Sequence, residues 1–406
     1  MATHEIAIWR LAIDLELAKP QDTRMKLETL AVHAGYHVDS STGAVTAPVH
    51  LSMTFERAVD GSYPSGYFYS RVNNPNREAL EQCAAALEGG AAAAAFASGS
   101  AAAMSVFQAL APTDHVIASK DVFYGISDLL RDLFARWGLA TTFVDTTDPA
   151  NVRKALQSNT KLVWVETPSN PLLKITDLEQ VAKIGKARGI LTVVDNTFAS
   201  PYVQRPLDLG IDIVLHSVTK YINGHSDMIG GAVIVRDRAD IAEKLEYMQN
   251  AIGSIMDPFS SFLALRGVKT LPLRMKQHCG NAMHLATWLR SHPKIEKVIY
   301  PGLPNHPQHL LAAKQMNGFG AMISVYLKTD MDGVRRALEA CSVFTLAESL
   351  GGVESLIGHP VTMSHGSLPV ELLARLGITD NLVRLSVGIE DAEDLIADLG
   401  HAMERI

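Results

Sequence analysis

The chain has 406 residues, 47% of them hydrophobic, a formal net charge of −7 and three cysteines. That length exceeds one ordinary core and predicts two or three packed domains, while the composition excludes a disordered chain. The acidic balance argues against a nucleic-acid partner, and no window approaches the roughly 18 apolar residues of a membrane span.

In chain order, Ile6 to Ala18 reads as a helix that stops near Pro20. Glu5, Asp14 and Glu16 make the start unlike a signal or transit peptide. From Thr29 to about Pro64 the chain is irregular and rich in Gly, Pro, Ser and Thr. Such a stretch is either an arm that packs on another subunit or a surface loop region. From Glu78 onward, helical stretches alternate with short apolar runs. Helices are predicted at 78–87, 101–110, 129–137 and 178–188. Strands are predicted at 91–97, 115–118, 141–144, 162–165, 190–195, 211–216 and 232–235. This alternation predicts an α/β domain whose mostly parallel central sheet is covered on both faces. Beyond about Leu265 the texture changes to a helix at 270–290, strands at 298–300 and 322–327, and helices at 334–340 and 391–405. A smaller α+β C-terminal domain is expected there. Cys83, Cys279 and Cys341 are few, odd in number and far apart, which fits a reducing, cytoplasmic setting.

The segment Ser217-Val218-Thr219-Lys220 closes an apolar run, and a second apolar run ends in Asp195. An amine, a hydroxyl pair and a carboxylate are what an enzyme needs to hold pyridoxal 5′-phosphate (PLP). Lys220 in an apolar setting keeps a neutral, nucleophilic amine. Ser217 and Thr219, two apart, face one side if the backbone is extended, and can share one phosphate. Asp195 at a strand end suits a pyridine nitrogen, or a turn. Gly99 and Ser100 lie in a turn feeding a helix N-terminus, where free N–H groups favour phosphate. Tyr124 can stack on a ring and move protons, or fill a core. Arg71, beside Tyr69, can add a phosphate contact. Arg384, a cation inside the apolar run 382–386, needs an anion, either a structural carboxylate or that of a substrate. His306, His309, His359 and His365 lie in loops without a cysteine or carboxylate cluster, so no metal is expected. The missing Gly-x-Gly-x-x-Gly disfavours a nicotinamide enzyme.

Taken together these strings resemble the Cys/Met-metabolism family of PLP enzymes, from about Leu27 to the C-terminus. The resemblance is carried by Tyr69-Ser70-Arg71 with Asn74-Pro75, Phe96-Ala97-Ser98-Gly99, Tyr124-Gly125, the run Glu166 to Pro171, Asp195-Asn196-Thr197-Phe198, Ser217 to Lys220 with Asn223 to Asp227, and Leu346 to Gly352. It implies the fold-type I, aspartate aminotransferase-like architecture of PLP-dependent transferases. The expected parts are an extension and intersubunit arm (1–66), a PLP-binding α/β domain (67–262) and a C-terminal α+β domain (263–406). It implies Lys220 as the Schiff-base lysine and proton shuttle, Asp195 at the pyridinium and Tyr124 on the ring. Gly99, Ser100, Ser217 and Thr219 would take the phosphate, and Tyr69 and Arg71 the phosphate of a neighbouring subunit in a homodimer or tetramer. Asn170, Ser349 and Arg384 would hold the substrate carboxylate or the cofactor's ring oxygen, and Glu348 the distal ammonium of cystathionine.

The implied activity is that of a cystathionine γ-lyase. The alternatives are a γ-synthase or O-acylhomoserine sulfhydrylase, less readily a methionine γ-lyase, and, from another class, a non-catalytic binding protein on a PLP fold. Ser100, Asn76 and Ile126 depart from the usual pattern, and Ile126 is expected to narrow the substrate pocket.

Overall fold

The computed structural model describes residues 25–366 and 368–406. The helix expected over Ile6 to Ala18 lies outside the described residues. The stretch expected to be irregular from Thr29 begins instead inside a short helix, Leu27–His33, and is irregular only after it. The following arm is tied down by side-chain amides. Asn76 accepts from His50 N at 2.8 Å and donates to Pro48 O at 2.9 Å, and Asn74 donates to His50 O at 3.0 Å. Asn76 is therefore an anchor for the arm, which accounts for a polar residue that is 2% exposed.

The strands are β1 (Ala92–Phe96), β2 (His115–Ser119), β3 (Ala140–Val144), β4 (Thr160–Glu166), β5 (Leu191–Asp195), β6 (Ile213–Ser217) and β7 (Gly231–Val235) in one sheet. Their order is β1-β7-β6-β5-β4-β2-β3. All neighbours in this sheet are parallel except β7, which runs against both β1 and β6. The apolar runs of β2, β4 and β6 are buried on both faces, as a helix-covered parallel sheet requires. Phe107, Phe134 and Trp164 pack on one face, and Val165, Val194 and Val181 on the other. The helix Leu178–Arg188 starts on Asp177, whose side chain caps Gln180 N, and stops at Gly189 at φ 63°.

A second sheet holds β8 (Ile295–Ile299), β9 (Met322–Leu327), β10 (Thr345–Leu346), β11 (Leu356–Gly358) and β12 (Leu382–Ser386). It has the order β10-β11-β12-β9-β8 and is antiparallel apart from β10 and β11. The long helix Leu271–Ser291 and the helix Ala392–Glu404 supply Leu285, Leu289, Leu395 and Leu399 to its core. Ser324 Oγ on β9 donates to Pro171 O at 2.6 Å, joining this sheet to the loop that follows β4.

Gly231 sits opposite Phe96 on one side and Ser217 on the other. A Cβ there would lie 2.3 Å from Ser98 O and 2.8 Å from Gly99 N. Gly231→Ala is expected to destabilise the protein by about 1–3 kcal/mol through this backbone collision. It should also weaken PLP binding, as read by a denaturant midpoint and a cofactor titration. A variant matching the parent in both would contradict the role of this close approach.

Candidate active site

Because β1, β2, β4, β5 and β6 point the same way, their carboxyl ends share one edge of the sheet. That edge is where open α/β sheets place ligands. After β1, Ser98 caps the helix Gly99–Gln108, its Oγ accepting from Ala101 N at 3.0 Å. The helix leaves the Gly99 and Ser100 N–H groups without an intrahelical acceptor. A Cβ on Gly99 would come within 3.1 Å of Ser217 Cβ, so the missing side chain forms a cradle between this turn and the end of β6. Cradle, helix terminus and the Ser217 hydroxyl form a donor set that fits a phosphate.

Thr219 differs from the extended placement expected for it. The strand ends at Ser217, and the next residues turn, with Lys220 N bonded to Ser217 O at 3.1 Å. The Thr219 hydroxyl donates to Gly230 O at 3.2 Å and accepts from Gly230 N at 3.0 Å, pinning the turn. It sits in a turn rather than on the face of the strand.

Lys220 is half-buried, and its Nζ donates to Ser349 Oγ at 2.6 Å. Burial, with the Arg384 charge beside it, brings the amine down to about 8, and Glu348 pulls the other way. Ser349 has φ 101°, a left-handed conformation costly for a residue with a side chain. Arg384 on β12 donates to Asn170 Oδ1 at 2.9 Å and to Ser349 O at 3.1 Å. Among the described residues no carboxylate forms an ion pair with it, so a buried cation is left with neutral hydrogen-bond partners, and an anion would complete its pairing. Burial lowers its pKa, and Glu348, Tyr221 and Glu166 oppose that shift. Glu348 itself is exposed.

Asp195 ends β5 in register with Glu166 at the end of β4. Its Oδ1 accepts from Thr197 N at 3.0 Å, while Thr197 Oγ1 accepts from Ser217 N at 2.9 Å. Burial holds the Asp195 carboxyl above its ordinary value, against the Thr197 bonds and the nearby His216. A pyridinium would supply the missing counter-charge. Tyr124 opens the helix Tyr124–Asp128 beyond β2, its ring edge-on to Phe123 at 4.6 Å.

Ile126 lies on the same helix but is 2% exposed, packed in the core with Phe107 and Trp164. Two residues along a helix is more than half a turn, so Ile126 points away from the Tyr124 side. It does not narrow a substrate pocket. Arg71 donates to Asn250 O at 2.9 Å and Asn250 Oδ1 at 2.8 Å, and lies 5.6 Å from the Tyr69 ring. Within one chain, neither Tyr69 nor Arg71 bonds to Lys220 or the Gly99 turn. Thr197 and Glu166 were not singled out from the sequence. Glu166 ends an apolar strand as Asp195 does, and the same rule would have found it.

Residues 28–404 match the family described as Cys/Met metabolism PLP-dependent enzyme. The chain belongs to this family. A cystathionine beta-lyase from Coxiella burnetii is 53% identical over 93% of this chain and 97% of its own. A cystathionine gamma-synthase from Mycobacterium bovis is 48% identical over 92% of this chain and 96% of its own. The crystal structure of cystathionine gamma-lyase from Lactobacillus plantarum, complexed with L-serine, superimposes with a TM-score of 0.91 at 47% identity, covering 94% of this chain and 99% of that one. The protein is therefore a PLP-dependent enzyme of fold type I, as its strings and its mostly parallel sheet implied. A β-lyase was absent from the activities expected from the sequence.

An amine at about 8 is mostly protonated at neutral pH and becomes nucleophilic above it. Capture of PLP by the apoprotein should therefore accelerate as pH rises through about 8. Glu348→Gln removes a charge that raises the amine, so it should move the midpoint to lower pH. Stopped-flow absorbance over a pH series measures both, and an unmoved midpoint would show that Lys220 does not feel Glu348.

Proposed function

We propose that the protein is a cystathionine γ-lyase, converting L-cystathionine and water to cysteine, 2-oxobutanoate and ammonia by α,γ-elimination. The observation that carries this reading is the pair of opposite charges that act on the Lys220 amine. Buried Arg384 lowers its pKa and exposed Glu348 raises it, and Glu348 acts on Arg384 as well. A substrate with a carboxylate at its reacting end and an ammonium at its far end suits that pair, and cystathionine has both.

PLP, when bound, supplies the electron sink that lets a proton leave the carbon beside an amino group. Gly99, Ser100, Ser217 and Thr219 hold its phosphate, Asp195 its pyridine nitrogen and Tyr124 the face of its ring. Asn170 and Arg384 hold the substrate carboxylate, a planar group that the guanidinium fork matches. Lys220 takes the α-proton, and Ser349 steers its amine. In α,γ-elimination a second proton must leave Cβ before the thiol departs from Cγ, so the same base serves two carbons in turn.

The arm carries Leu51, 73% exposed, and Met53, 65% exposed, and we assign it to packing against a second copy of the chain. Tyr69 and Arg71 then complete the partner's phosphate site within a homodimer or tetramer. The three cysteines are free, which we read with a reducing, cytoplasmic setting.

A β-lyase is the second reading, favoured by the 53% identical relative. It would break Cβ–S and release homocysteine, pyruvate and ammonia. Incubation with cystathionine alone, then with an O-acylhomoserine and cysteine, separates the possibilities by product. 2-Oxobutanoate with cysteine supports the γ-lyase, and pyruvate with homocysteine overturns it, as does exclusive γ-replacement. Lys220→Arg should lower kcat by about 10²–10⁴-fold. For the shared site, Arg71→Ala and Lys220→Ala proteins should regain activity when mixed into heterodimers. Inactive heterodimers would argue that each subunit works alone.

A further inference from the structure

Glu166 ends β4 beside the proposed site and is 5% exposed. No cation forms an ion pair with it among the described residues. Its two oxygens are instead divided between two loops. Oε2 accepts from Phe123 N at 2.7 Å, and Oε1 accepts from Asn170 N at 3.2 Å. Phe123 immediately precedes Tyr124, and no side chain caps the helix that Tyr124 opens. Asn170 in turn receives Arg384. The same two loops are joined a second time through Asp121, which accepts from Ser169 Oγ at 2.9 Å and pairs with Lys174 at 3.2 Å. A buried carboxylate without a cation is costly. An apolar side chain would fill the space but accept from neither amide, and a glutamine offers a single acceptor oxygen. Glutamate's two oxygens serve both amides at once, while burial and the neighbouring Asp195 push its pKa well up.

We infer that Glu166 is a positioning residue, one that fixes Tyr124 and Asn170 relative to each other by giving one oxygen to each of their loops. The inference rests on the proposed roles of those two residues. Through Phe123 it sets where the ring-stacking phenol stands. Through Asn170 it sets where the Arg384 fork presents itself to a substrate carboxylate.

Glu166→Gln preserves shape and removes one acceptor. In the apoprotein, hydrogen exchange at the Phe123 or Asn170 amide should rise about tenfold. In the holoenzyme, KM for cystathionine should rise about tenfold and the circular dichroism of bound PLP should change, while borohydride still attaches PLP to Lys220. In an Asn170→Ala background the same substitution should add nothing further to KM. If the glutamine variant does not fold, Glu166→Asp, too short to reach both amides, is expected to give the same pattern. Unchanged exchange overturns the tether. Raised exchange with unaltered KM and dichroism overturns the positioning role and leaves a structural one. A wild-type protein that fails to bond PLP at Lys220 fails the active-site reading itself, and this inference with it.

Discussion

The common direction of β1, β2, β4, β5 and β6 is the constraint on which the site depends. Chain distance separates Gly99, Tyr124, Asn170, Asp195 and Lys220, but strand direction brings the segments that carry them out at one edge. β7 runs the other way and separates β1 from β6. It needs glycine at residue 231, because the turn after β1 must close over it to meet Ser217. Sheet topology and phosphate cradle are thus one feature, and a side chain at that position disturbs both.

Collecting polar groups at a buried edge raises their desolvation cost, and the structure answers by pairing each with a neighbour. Lys220 bonds Ser349, Arg384 bonds Asn170 and the Ser349 carbonyl, and Thr197 links Asp195 to Ser217. The second sheet takes part directly. It carries Arg384 on β12, and Ser386 Oγ accepts from Gly351 N at 2.9 Å, holding the loop that bears Ser349. The amine, its guanidinium neighbour and the strained serine are positioned from two sheets at once, so packing between the sheets bears on the Lys220 amine.

Much of this architecture was legible because burial leaves a mark on composition. Met322–Leu327 and Leu178–Arg188 have the bounds their apolar patterns predict. Asp195 and Lys220 stood out as polar residues closing apolar runs. Elements that bury little left less of a mark. The helix Ala239–Ile252 buries only Ile241, Leu245, Gln249 and Asn250, and both residues of β10 are exposed. Side-chain direction was harder still. Thr219 was placed from spacing along an assumed strand and Ile126 from its place in sequence beside Tyr124, and each lies in a different local geometry. Glu166 closes an apolar run as Asp195 does, but its role is not legible there, because its partners are backbone amides, which no residue type announces.

The same structure explains why relatives named for β-elimination, γ-elimination and γ-replacement all match at similar identity. On the proposed roles, the three reactions open alike: a carboxylate held by Arg384, a ring held by Asp195 and Tyr124, and an α-proton taken by Lys220. They part only afterwards. Elimination at Cβ needs no second proton removal, elimination at Cγ needs the amine at Cβ, and replacement needs a thiol where water would otherwise finish. The groups that hold cofactor and carboxylate are therefore under one shared demand, whatever the product. The difference falls on the reach of one amine and on what enters beside it. On those roles selectivity falls on the Lys220–Ser349 contact and on exposed Glu348, rather than on the cradle or the sheet edge.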